Sequence, residues 1–421
     1  MKNKTIYSWA FYDWANSAYA TTVIAGLFPV FFKEYYSASV DATVSTAQLG
    51  FANSIASVII VLLAPLLGAI ADMGGLKKRF LFVFAYLGIL MSAALGFVDK
   101  GEWEVAIFIY ILGNIGFMGS NTFYDSLLPS VAKDQESDRV SGLGFALGYL
   151  GGGILFALNV WMVQNPSLFG LSNSAEAVKL SFITVALWWM IFSLPIFLFI
   201  KEEKREQKGG PTQMIRDGYS RLRSTISKVA HFKGLLYFLI AYWFYIDGVD
   251  TIIRMAVDYG MSIGLESKHL ILAILMVQFV GFPATLIFTH FAHKWDTKKA
   301  ILLAIAIYLF ITLGASMVDS MVEFFILALL IALVQGGIQA LSRSYYAKMI
   351  PDAHAAEFFG FYNFVGKTAA ILGPLLIGVV TLATDNSRLG ILSVAIFFII
   401  GGWMLWQVDE KKVANEVKSA L

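Results

Sequence analysis

The sequence predicts an all-α membrane protein of twelve transmembrane helices in two six-helix pseudo-symmetric bundles, and three observations carry that prediction. The 421 residues are 58% hydrophobic and only 14% charged, too apolar for the surface of an ordinary soluble domain. Twelve apolar runs approach the roughly 20 helical residues that cross about 30 Å of hydrocarbon. Lys and Arg are unevenly shared: the termini and even-numbered loops, counted with the span ends beside them, hold 24 of the 31, the odd-numbered loops counted the same way hold 5, and Arg254 and Lys367 lie deeper within spans. Positive charge is retained on the cytoplasmic side, so both termini are expected there, in a bacterial inner (plasma) membrane.

Taken in order, the predicted spans are 7–35, 47–72, 79–98, 103–129, 140–163, 178–200, 234–262, 268–291, 298–318, 321–346, 355–383 and 389–408. The first is too long for a cleavable signal and continues directly from its flank. Residues 201–233, the longest polar break, divide the spans six and six, giving an N-terminal bundle over 1–200, a cytoplasmic linker and a C-terminal bundle over 234–421. Gly209, Gly210 and Pro211 break the linker. Met214 to Val229 reads as either a solvated tether or a short basic helix on the inner leaflet. A net charge of +2 and no cysteine leave no basic surface for nucleic acid, no disulfide, no thiolate metal site and no cysteine nucleophile. No cofactor or bound metal is expected.

The halves resemble each other, as expected for internal duplication in transporters. WAFYDWANSAYATTV in the first span lines up with WFYIDGVDTIIRMAV in the seventh, pairing Asp13 with Asp247 and Asn16 with Asp250. GAIADMGGLKKR after the second span matches THFAHKWDTKKA after the eighth, and FYDSLLP matches YYAKMIP.

Twelve spans in two halves, with Gly68, Asp72, Gly74, Gly75, Lys77, Lys78 and Arg79 in the loop after the second span, resemble the major facilitator superfamily. More narrowly, YDWANSAYATT at 12–22, GGIQALSRS at 336–344 and FFGFYNFVGKTAAILGP at 358–374 resemble the vacuole-effluxer family, which comprises fungal vacuolar amino-acid exporters and bacterial relatives. The resemblance implies a central cavity lined by the first, fourth, seventh and tenth helices, with the third, sixth, ninth and twelfth facing lipid. It also implies amino-acid efflux, and a cytoplasmic gate at Asp72, Lys77, Lys78 and Arg79. The second copy of the loop departs from the pattern, with His293 in place of Asp72 and Asp296 in place of Gly75. A gate stronger in the N-terminal half is therefore expected.

Eight charges lie inside apolar spans: Asp13, Asp125, Asp247, Asp250, Arg254, Asp258, Arg343 and Lys367. An ionisable group in hydrocarbon costs roughly 2.5–3.5 kcal/mol on insertion scales, so it must face a partner or a wet path. Asp247, Asp250, Arg254 and Asp258 share one helical face. They form either a self-neutralising ladder or a binding surface. Asp13 and Asp247, lacking intrahelical partners, either bind a coupling proton or sodium ion or pair with Lys367, in a fixed or an exchanging pair. Asp125 is expected to anchor a span boundary. Arg343 is a candidate to hold a substrate carboxylate bidentately, and Asn16 and Asn363, with Asn114, Asn121, Gln335 and Gln339, to donate hydrogen bonds or join helices. Asp72 is read as a latch, whereas membrane anchoring accounts for Lys77, Lys78 and Arg79. The five histidines fall at predicted helix ends, so proton coupling must use carboxylates. The glycines of spans five and eleven serve close packing or a rocking surface.

These features predict a monomeric secondary transporter, not an enzyme, for a small polar solute. Carboxylates beside cations suit a zwitterion. A transport-inactive scaffold or sensor is the alternative from another class, and sugars or drugs are the alternative solutes. No Gly-rich loop ending in Lys-Ser/Thr supplies ATP drive.

Overall fold

Length and hydropathy set the helices. The computed structural model describes residues 2–39, 42–133, 136–202, 213, 216–220, 222–224, 232–262, 266–369 and 372–420. Its helices are α1 (Asn3–Tyr36), α2 (Ala42–Gly74), α3 (Lys77–Leu95), α4 (Trp103–Ser126), α5 (Ser137–Gln164), α6 (Ser174–Phe199) and α7 (Lys233–Ser262). There follow α8 (Ser267–Trp295), α9 (Thr297–Ala315), α10 (Met321–Met349), α11 (Ala355–Ala369), α12 (Leu372–Thr384), α13 (Arg388–Trp406) and α14 (Glu410–Ala420). Among the described residues 11 helices are long and apolar enough to cross a membrane. The remaining predicted span is α11 and α12, on either side of 370–371. The chain is thus a multi-pass membrane protein of the predicted twelve-span kind.

Local chemistry fixes the helix ends. Ser320 and Glu323 form a reciprocal capping box at α10, and Asp296 caps α9 by accepting from Lys299 N at 2.9 Å, satisfying donors that a helix start leaves open. Between α2 and α3, Gly75 takes φ +58°, which costs glycine little, and Leu76 N closes on Ala71 O at 2.9 Å. The turn from Asp72 to Lys77 is therefore tight. In α1 the turns widen to π-helical over Tyr19–Leu27 and Phe32–Tyr36.

α1 to α6 pack on one another, α1 against α5 and α6, and α3 against α4 and α6. In the second half α7 packs on α13 and α11, and α8 and α9 on α10. α3, α6, α9 and α13 carry exposed apolar residues such as Leu90, Ile191, Phe310 and Trp403, as expected of lipid-facing helices. The halves meet where α2 lies against α11, and where α5 lies against α8 and α10. The α2–α11 approach is backbone to backbone. A Cβ on Gly360 would fall 2.8 Å from Pro65 Cα, and one on Gly68 would meet the Ala356 carbonyl.

The glycines divide between the two expected roles. Gly144, Gly148, Gly151 and Gly152 face α1 within the first half, whereas Gly142 and Gly153 face Thr289 and Gln278 of α8 across the halves. Of the Met214 to Val229 segment, 216–220 and 222–224 are helical, and Gly218 lies against Ile70 of α2. The rest of that reading falls outside the described residues.

Candidate functional site

A cavity of about 330 Å³ lies between the halves. Its lining includes Asp13, Asn16, Asn121, Tyr124, Asp125 and Tyr149 from the first half, and Tyr242, Asp250, Gln278, Gln339, Arg343, Tyr362 and Asn363 from the second. Of the expected pathway residues, the structure thus gathers Asp13, Asn16, Asp250, Arg343 and Asn363 on one void. Asn16 donates to Asn121 at 2.5 Å, and Tyr149 donates to Gln339 across the halves at 3.3 Å.

Arg343 is the centre of the inter-half contact. Its Nη1 donates to Asp125 Oδ1 at 3.0 Å and to Asp13 Oδ2 at 3.5 Å, and Nη2 donates to Asp13 Oδ2 at 3.4 Å and to Ser141 O at 3.0 Å. Nε donates to Ser141 Oγ at 2.9 Å. These contacts engage every nitrogen of the fork. The Phe145 and Trp9 rings cover the guanidinium, with centroids 4.3 and 4.8 Å from Cζ, a favourable cation–π setting. Tyr124 donates to Asp13 Oδ2 at 2.8 Å, and Asn363 donates to Asp125 Oδ2 at 3.4 Å.

Two expectations change accordingly. Arg343, expected to hold a solute carboxylate, is fully engaged by protein acceptors in this state. Asp125, expected at a boundary, is buried in the same cluster, because Arg343 of α10 and Asn363 of α11 reach its carboxylate.

Asp247 also departs from expectation. It is buried but does not line the cavity: its Oδ1 accepts from Gly373 N at 3.0 Å and from Thr251 Oγ1 at 3.2 Å. The repeat relation survives in the packing, since Asp13 faces Gly144 of α5 as Asp247 faces Gly373 of α12. The helix backbone carries Arg254, Asp258 and Lys367 at the expected positions, but their side chains lie outside the described residues, and with them the ladder and the Lys367 pairing.

Two ionic junctions flank the cluster on the linker end. In one, Asp72 accepts from Ala356 N at 3.1 Å and Glu357 N at 2.9 Å, the first turn of α11, and pairs with Lys77 at 2.9 Å. Lys77 Nζ also reaches Asp352 O at 3.4 Å, so it crosses between the halves, which anchoring alone does not require. Lys78 Nζ donates to Phe197 O and Ile200 O at the end of α6, and Arg79 is exposed, in keeping with anchoring.

The second junction was missed by sequence reasoning. Asp138, in the first turn of α5, accepts from Thr297 Oγ1 at 2.7 Å, Ser344 Oγ at 2.5 Å and Lys348 Nζ at 2.7 Å. All four residues are buried. An acid in the first turn of a span, opposite the tenth-span Lys348 that the repeat alignment contains, was the available signal. His293, the repeat-mate of Asp72, is exposed.

Comparison with known proteins agrees with this architecture. Residues 40–418 match the family described as vacuole effluxer Atg22 like. An uncharacterised MFS-type transporter of Bacillus subtilis (strain 168), YxiO, is 38% identical over 406 residues, 96% of this chain and 94% of that protein. Autophagy-related protein 22 of Saccharomyces cerevisiae (strain ATCC 204508 / S288c) is 25% identical, covering 74% of this chain and 68% of its own. Among solved structures, the human organic anion transporter MFSD10 superposes with a TM-score of 0.72 at 14% identity, covering 96% of this chain and 99% of that one. The proton:xylose symporter XylE superposes at 0.70 and 11%, covering 100% and 98%. With the family match spanning nearly the whole sequence and the major facilitator fold in place, the chain belongs to the vacuole effluxer Atg22-like family of MFS-type transporters.

Proposed function

We propose that this protein is a secondary active transporter that exports a small zwitterionic, amino-acid-like solute by alternating access, coupled to protons at Asp13 and Asp125, with the linker end cytoplasmic. The observation that carries the reading is the Arg343 cluster, which closes one end of a cavity lined by both halves. Opening that end would draw Arg343, on the second half, away from two carboxylates on the first. Breaking a buried pair by removing one partner costs about 3–5 kcal/mol, so the separated faces need new counter-charges. A zwitterion meets both, its ammonium on the carboxylate face and its carboxylate on the freed guanidinium. The solute's ammonium and protons compete for the carboxylate face, so the solute leaves in exchange for protons that enter.

Cavity size is consistent with one small solute, and Asn16, Asn121, Gln278, Gln339 and Asn363 supply neutral hydrogen-bonding groups around it. The Asp72 and Asp138 junctions serve as gates that part in the same step. The family description of a vacuole effluxer supports the outward direction.

The test is reconstitution in liposomes with a labelled amino-acid panel, with and without an imposed pH or sodium gradient. Uptake of at least one amino acid that rises with a pH gradient and is lost in Asp13→Asn is expected. Indifference of every panel member to both gradients, or an intact gradient response in Asp13→Asn, would refute the reading.

A further inference from the structure

The Arg343 anchor has two chemically different sides. Asp13 from α1 and Asp125 from α4 hold it through groups that change charge with pH. Ser141 of α5 holds it through groups that do not. The Ser141 hydroxyl donates to Ala340 O of α10 at 2.8 Å, which commits its proton and turns a lone pair toward Arg343 Nε at 2.9 Å. The Ser141 carbonyl takes Nη2 at 3.0 Å. Ser141 is fully buried and Arg343 nearly so, so water does not replace either bond in the closed state, and hydrogen bonds to a charged group are among the stronger ones.

We infer that Ser141 is a positioning residue for Arg343 that sets the proton concentration at which the linker end opens. Protonation of Asp13 or Asp125 cancels their hold on the guanidinium, but the two bonds to Ser141 remain and must still be broken before α10 can leave α5. The stronger this pH-independent hold, the more acid is needed to open. Among the described residues, the other titratable or charged groups around the cluster are Tyr12 on α1 and Tyr124 on α4, Tyr149 on α5, Tyr242 and Asp250 on α7 and Tyr362 on α11, with Asp138 on α5 already committed to Lys348. None of them bonds to Ser141 among the described contacts. The inference rests on the proton-coupled reading above.

The natural chain has no cysteine, so Thr289→Cys provides a single reporter at a buried inter-half position, against Gly142 of α5. Its labelling by an impermeant maleimide from the linker side is followed between pH 5 and 8 in full-length protein in liposomes. Each rate is divided by that of the unfolded reporter at the same pH, because the reacting thiolate grows with pH; the open state holds the extra proton, so this normalised labelling falls as pH rises. Ser141→Ala, made in the reporter and verified to melt with it, is expected to move the midpoint to higher pH by about one unit, a tenfold change in the closed-to-open ratio for one proton. The slope should be kept, because the same acids titrate. Asp125→Asn is expected to flatten the curve. A Ser141→Ala curve with the parent midpoint, or one flattened as in Asp125→Asn, overturns the inference. A parent curve that is flat overturns the proton-coupled reading and the inference with it, which separates the two failures.

Discussion

The two junctions that bind the halves together occupy equivalent places in the repeat yet are built with opposite polarity. At the first, the acid sits in the last turn of α2 and finds backbone N–H groups at the start of α11, helped by Lys77. At the second, the start of α9 offers the Thr297 hydroxyl, and the acid has moved to the start of α5, where Asp138 finds Ser344 and Lys348. The expectation of a stronger gate in the N-terminal half rested on His293 alone, and the second copy carries its acid on the facing helix. A missing acid on one side of an interface is replaced by an acid on the other. The first junction is backbone against backbone through Gly68 and Gly360, whereas the second is a buried side-chain cluster, so the two should respond to substitution differently.

The largest effect is expected at Asp138. Asp138→Ala leaves Lys348 buried without its carboxylate, a change of about 3–5 kcal/mol for a buried pair. Labelling of the Thr289→Cys reporter from the linker side should rise by more than a hundredfold, and Lys348→Met combined with it should restore much of the closed state. A rise under tenfold would mean the second junction carries little of the closure.

Asp72→Ala should act in the same direction but less, by about 1–3 kcal/mol. The helix N-terminal N–H groups it leaves can turn to water as the end loosens, and Lys77 is partly exposed. If the same labelling assay ranks Asp72→Ala above Asp138→Ala, the first copy is the stronger gate after all.

Gly360→Ala sharpens the contrast in packing. Its methyl would meet the rigid Pro65 backbone and should loosen the closed end by about 1–3 kcal/mol. Gly153→Ala meets one close atom, Gln278 Cβ at 2.9 Å, where Gly360→Ala meets Pro65 Cα at 2.8 Å, Pro65 N at 2.9 Å and Ala64 C at 3.0 Å, and should cost less. Equal labelling of the two variants would remove the distinction between a backbone seam and a side-chain seam.

Much of this molecule is legible along the chain. The spans and the presence of Asp13, Asp250 and Arg343 within them follow from hydropathy, the expense of charge in hydrocarbon asks for a partner or a wet path, and the resemblance supplied the central cavity. The partners are not legible there. Asp125 and Asp247 are both acids near apolar residues, and nothing local says that the first turns to Arg343 while the second takes the N–H of Gly373. Asp138 passed unnoticed because a charge at a span's edge has an easy home in water, and only the fold takes that water away by laying α8 and α10 over it.

The sequence by itself determined the number of crossings, their order and the end of the bundle to which basic residues belong, because transfer into hydrocarbon is a sum over a local window. Only the tertiary structure decided which charges meet. A helical period assigns a side chain to a face, but the rotation and tilt of that face come from packing among helices distant in sequence, as where Asp13 reaches Arg343 across 330 positions.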